Sequence, residues 1–188
     1  MINHDVFAKA LLQRANDSGL AVCNLKLQKL AYYCQGYHLA VHKAALFNAP
    51  VKAWQHGPVV TGIYHEYSHF GNCHITIPTG QDFTAGLTEQ ALQIMDFVIT
   101  KFGQIGAWTL RNQTHQEQPW LSHYDADKRE ADKQEITQIE LTDFFNMEVA
   151  NMQDATFAKI LDSIDDDYIS MPDTVSNADE FCAWIKSL

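Results

Sequence analysis

His65-Glu66-Tyr67-Ser68-His69 satisfies the H-E-x-x-H pattern. On a helix this pattern sets two imidazoles one turn apart as zinc ligands, with the glutamate between them as general base. Glu89, twenty positions beyond His69, would be the third ligand of a thermolysin-like hydrolase. The longer metzincin form requires glycine at 72 and histidine at 75, and the chain has Asn72 and Ile75. The helix that must carry the motif argues against the metal. Advancing about 100° per residue, Val60, Ile63, Tyr64 and Tyr67 define its apolar face, and His65 and His69 fall near the opposite side, toward water. A zinc hydrolase therefore stands as the alternative reading, and no metal or other cofactor is expected.

Other chemistry has weaker support. The sequence has no G-x-S-x-G, no phosphate-cradling glycine loop and no G-x-G-x-x-G. Asp165-Asp166-Asp167 lacks the spaced ligands and the glycine of a calcium loop. Cys23, Cys34, Cys73 and Cys182 include no pair at metal or redox spacing, and they read as small apolar side chains in a reducing compartment.

The elements around these residues are helical. Phe7, Ala8, Leu11, Leu12 and Ala15 predict a first helix capped by Asp5 and ended by Gly19. Asn24 is placed to cap a second, with Leu27, Leu30, Ala31, Cys34, His38 and Val41 on one face and Gly36 permitting a close approach. Val51 to Trp54 reads as extended and pairs with the alternating run His74 to Ile77. Gly57-Pro58 opens a third helix running to Phe70. Thr88 caps the next helix, with Leu87 and Leu92 as a staple, and Gly103 ends it. Shorter helices surround Trp108 and Phe144-Phe145. Beyond Asn151, two stripes follow the helical rule: Phe157, Ile160, Leu161 and Ile164, then Phe181, Trp184, Ile185 and Leu188. The expected fold is mainly α, a single compact helical domain over residues 5–146 with a small two-stranded β element. A C-terminal helical extension over 151–188 packs on that domain or on a partner.

The run from 26 to 40, KLQKLAYYCQGYHLA, resembles the second-helix signature of the SocA-like, or Panacea, antitoxin family, which includes phage-associated proteins of the GepA type. Leu46-Phe47, then Ala53-Trp54-Gln55-His56-Gly57-Pro58-Val59-Val60 with Ile63-Tyr64 and Tyr67, are similar to its central block. Thr114-His115 and Pro119-Trp120 are similar to its later one. The resemblance implies a mostly helical domain that neutralises a cognate toxin by direct protein–protein contact, as the antitoxin of a toxin–antitoxin system on a prophage or other mobile element, without enzymatic activity. Trp54, His56, Tyr64, His115 and Trp120 are the candidate partner-binding residues. Trp54, Tyr64 and Trp120 equally suit core packing, where their polar tips need partners, and either histidine equally suits a cap.

Composition is compatible with such a role. Hydrophobic residues make up 46% and charged residues 19%, as in a folded chain. The net charge of -10 opposes nucleic-acid backbones and anionic lipid, while a basic protein partner is easier to accommodate. The basic cluster Lys128, Arg129 and Lys133 is interleaved with Asp127, Glu130 and Asp132. No run of about 18 apolar residues would cross a membrane, and no basic leader precedes an apolar stretch. The expected location is the cytoplasm, with the oligomeric state left open.

Overall fold

A computed structural model describes residues 1–128 and 134–165. The chain divides into two units, residues 1–154 and 155–188. Among the described residues the first holds seven α-helices: α1 (His4–Asp17), α2 (Asn24–His42), α3 (Thr61–Tyr67), α4 (Glu89–Phe102), α5 (Ala107–Thr114), α6 (Gln118–Leu121) and α7 (Gln138–Ala150). It also holds strands β1 (Val51–Trp54), β2 (Gly57–Val60) and β3 (Glu135–Ile136). The second unit is described over one helix, α8 (Ala155–Asp165), which carries the first of the two apolar stripes. The stripe from Phe181 to Leu188 lies outside the described residues. No helix among the described residues is long and apolar enough to cross a membrane.

Helix α2 is the axis of the first unit. From Lys26 to Ala40 every residue is buried, polar ones included, so the helix lies inside the domain rather than presenting one face to it. The aromatic residues on α2 pack against the flanking helices. Tyr33 stacks on Phe102 of α4 at 4.1 Å between ring centres, and Tyr37 meets Phe97 and Phe145 edge to face at 5.1 and 4.9 Å. Gly36 has the role its size suggests, because the Phe145 ring of α7 occupies the space a side chain there would need.

Several local expectations are corrected. Asn3, not Asp5, caps α1, accepting the Asp5 amide at 2.9 Å. Asn24 lies within α2 after Cys23; its amide donates to the Tyr64 carbonyl at 3.2 Å, and its side-chain oxygen accepts from Gln28 one turn on at 2.9 Å instead of capping the helix. Gly57-Pro58 begins a strand, and α3 starts only at Thr61. Strands β1 and β2 form an antiparallel hairpin, with Trp54 opposite Gly57 and Ala53 opposite Pro58, across the two-residue turn Gln55-His56. Proline fits because β2 is an edge strand in the order β2-β1-β3 and owes no outward amide bond. The third strand comes from far along the chain, with Val51 opposite Ile136. Residues 74–77 are not a strand; the Ile75 amide instead donates to the Val22 carbonyl at 2.9 Å. The expected termination of α1 holds: Gly19, at φ +70°, closes it with its amide on Asn16 and that of Leu20 on Ala15.

Helix propensity alone favours alanine over glycine by about 1 kcal/mol, whereas overpacking a filled core costs about 1–3 kcal/mol. The Phe145 ring is hemmed in by Tyr32, Tyr33 and Tyr37, so overpacking prevails at position 36. Gly36→Ala is therefore expected to lower the urea denaturation midpoint, and adding Phe145→Leu to recover part of the loss. A Gly36→Ala chain as stable as the parent would contradict this account of the α2–α7 contact.

Candidate functional site

The hairpin is fixed from behind by side chains that donate to its backbone. Lys29, wholly buried on α2, reaches the Pro58 carbonyl with its amine at 2.8 Å. Trp120 of α6 donates its indole N–H to the Trp54 carbonyl at 2.8 Å. The His115 ring is hydrogen-bonded to the Gln55 backbone, and Arg111 Nη2 makes a longer contact, 3.4 Å, to the Gln55 carbonyl. On the other side, Gln28 Oε1 accepts the Val60 amide at 3.0 Å, where the hairpin passes into α3. Each bond satisfies a strand or turn group that would otherwise be costly to leave unpaired under the protein surface.

Gly57 permits this closeness. It adopts φ +95°, a conformation that favours glycine, and a Cβ there would stand 2.6 Å from Lys29 Nζ and 2.6 Å from Thr114 Oγ1.

Burial sets the charge states behind the hairpin. It pushes the Lys29 amine down to about 7 against an ordinary 10.5, with Glu117 opposing that shift and Arg111 adding to it. His115 is brought down to about 4, by burial first and then by the positive charges of Arg111, Lys29 and His56, so its ring is neutral at physiological pH. Burial raises Glu117 despite the Tyr33 hydroxyl, which donates to Glu117 Oε1 at 2.8 Å. His115 stacks on Trp120 at 3.8 Å, and Tyr124 covers the other end of that stack at 4.4 Å.

In front of the hairpin lies a groove of about 620 Å³. It is lined by Trp54, Gln55 and His56 of the hairpin, Tyr64 of α3 with Ser68 just beyond it, Trp108 at the start of α5, and Asn24, Leu25 and Gln28 of α2. Its size is within the range of about 300–1,000 Å³ usual for ligand-holding clefts. No lysine, arginine, aspartate or glutamate lines it. Trp54 and Tyr64 meet edge to face at 4.8 Å, as do His56 and Trp108 at 5.5 Å, and Trp108 is 62% exposed. A shallower depression of about 180 Å³ between α6 and α7, lined by Pro119, Phe144 and Met147, falls below that range.

The five candidate residues thus separate. Trp54, His56 and Tyr64 line the groove, with Trp54 and Tyr64 half-buried on its walls rather than sealed in the core. His115 and Trp120 stand behind the hairpin and position it. Sequence reading missed Trp108, which it placed only within a helix, and Lys29, which it quoted only within the run from 26 to 40.

The H-E-x-x-H residues are elsewhere in character. Helix α3 ends at Tyr67, and Ser68–Phe70 form a 3-10 turn, so His65 and His69 are not presented from consecutive turns of one α-helix. Both are exposed, as is Glu89, whose charge acts on Arg14 of α1. Among the described residues no three His, Cys, Asp or Glu side chains are grouped to hold a metal ion.

The depressed Lys29 pKa has a pH signature. Between about 7 and 10 the unfolded chain holds a proton on this amine that the folded chain does not, so this group makes stability rise with pH across that window. Lys29→Met removes that rise and leaves the Pro58 carbonyl without its donor. Its stability deficit relative to the parent should be largest near the top of the window and shrink toward its bottom, as followed by urea denaturation across the range. A deficit independent of pH would show that Lys29 is not held near neutrality.

The sequence pattern of the family described as antitoxin SocA-like, Panacea domain, matches residues 27–121, just over half of the chain. This stretch carries Lys29, the whole hairpin, Tyr64, Trp108, His115 and Trp120. Comparison with curated proteins and with solved structures gave no match. With most of α2, the hairpin and the helices that brace it falling within the matched residues, the chain belongs to the SocA-like antitoxin family of Panacea-domain proteins.

Proposed function

We propose that this chain neutralises a toxin by direct binding, taking a segment of the toxin into the groove between the β1–β2 hairpin, α3 and the start of α5. The observation that carries this reading is the groove itself: a concave surface walled by Trp54, Tyr64, His56 and a largely exposed Trp108, built on the residues that define an antitoxin family. Aromatic side chains of this kind supply large contact areas with few rotamers to freeze, and they dominate the energetics of protein interfaces. The ionisable groups buried behind the hairpin are committed to holding the structure. Lys29 is committed to the Pro58 carbonyl, His115 to the Gln55 backbone, and Glu117 to Tyr33. The net charge of -10 favours approach by a basic partner over a nucleic acid.

Growth rescue tests the proposal. Small reading frames flanking the gene are induced alone and together with this chain. One of them should arrest growth by itself and be silenced by the parent chain. A Trp54→Ala, Trp108→Ala variant should bind that toxin at least about thirtyfold more weakly, as expected for central interface aromatics, and fail to rescue. Circular dichroism and the thermal midpoint check that it folds. Full rescue by the folded double variant would move the contact to another surface, and the absence of any growth-arresting neighbour would count against the antitoxin role.

A further inference from the structure

Arg111 lies one turn beyond Trp108 on α5; it does not itself line the groove, but it reaches the backbone of Gln55, which does, and among the described residues its charge has no ion-pair partner. Nη1 donates to the neutral Asn112 Oδ1 at 3.0 Å, Nη2 reaches the Gln55 carbonyl at a long 3.4 Å, and the buried Nε has no acceptor. The ion pairs among the described residues join Lys9 to Asp5, Arg14 to Asp96, His123 to Glu140 and Lys128 to Asp125, and none involves Arg111. Its charge is felt by Lys29 and His115 behind the hairpin, where the carboxylate of Glu117 acts on Lys29 in the opposite sense. Arginine presents a planar fork that pairs two-pronged with a carboxylate, and trading a weak carbonyl contact for a carboxylate strengthens the bonding.

Building on the groove as the toxin-binding surface, we propose that its occupant is a peptide segment with apolar or aromatic side chains against Trp54, Tyr64 and Trp108 and one acidic side chain paired with Arg111. The overall charge does not contradict this pairing. Fields from the distant acidic residues are screened within about 8–10 Å at physiological salt, so they steer the approach while the contact itself is decided by the guanidinium. A basic toxin that offers one carboxylate beside an apolar patch satisfies both ranges. The uncharged lining of the groove requires the rest of the segment to be free of charge as well, since an ion carried there would lose hydration with no partner.

The test is selection from a phage-displayed library of random dodecapeptides on the immobilised full chain, on Arg111→Glu, on Arg111→Gln and on Trp54→Ala, Trp108→Ala. Thermal midpoints confirm that each variant is folded, and Arg111→Gln keeps a donor for the Gln55 carbonyl if the charge reversal perturbs the fold. The parent chain should enrich peptides with Asp or Glu next to aromatic or aliphatic residues. These should bind Arg111→Gln at least about tenfold more weakly, and Arg111→Glu should instead enrich Lys or Arg at that place. Enriched peptides without an acidic excess, or the same peptides retained at equal affinity by Arg111→Gln, would overturn the acidic pairing while leaving the groove as the contact. Equal enrichment on the Trp54→Ala, Trp108→Ala variant, or none on the parent chain, would overturn the groove reading and this inference with it.

Discussion

A helix buried around its whole circumference cannot leave a polar side chain idle, and that constraint on α2 organises the rest of the protein. Lys26 donates to the Gly103 carbonyl at the end of α4, and Gln28 holds the Val60 amide. Lys29 holds the Pro58 carbonyl. Gln35 accepts the amides of Leu46 and Phe47 while donating to the Phe47 carbonyl, and His38 bonds the Ala44 carbonyl at 2.7 Å. Each of these five side chains answers a backbone group in an adjoining loop, turn or strand. Desolvation makes either member of such a pair expensive alone. The irregular segments are thus fixed by the same helix that forms the core, and the groove, which is built from those segments, inherits its rigidity.

The hairpin is the point where this internal order becomes a surface. Its back is occupied by neutral or nearly neutral donors: an amine pushed toward neutrality, an uncharged imidazole and an indole. Its front presents aromatic rings and no ions. Charge is kept to one corner, at Arg111, where it can take part in recognition without straining the core. A wall held from behind by hydrogen bonds needs little reordering when a segment docks on it, which limits the entropy lost on association.

Much of this was legible in the sequence because periodicity and small residues carry clear physical meaning. The faces of α1 and α4, the close approach at Gly36, the Thr88 cap and the outward direction of His65 and His69 all follow from spacing. The hairpin was misread because Gly-Pro serves a helix start and an edge strand equally well. The pairing that distinguishes them, Val51 with Val60 and Ile136, depends on a residue some eighty positions away. Lys29 escaped notice for a related reason. A lysine on the polar side of an amphipathic pattern looks solvated, and only the hairpin folding over that side buries it. Trp54 and Tyr64 were assigned by type to core or partner contact, and they occupy the boundary between the two, where residue type alone does not decide.

Adjacent positions in the turn answer to different demands. Gly57 is confined by its backbone angle and by Lys29 and Thr114, so any side chain there would drive the buried amine from its carbonyl. Gln55 and His56, immediately before it, are exposed, and His56 turns its ring edge to face with Trp108 at the groove. On the reading that the groove takes a toxin segment, His56 is the position in the turn where a change of side chain alters the surface offered to a partner, while Gly57 and the buried lysine beneath it have to stay as they are.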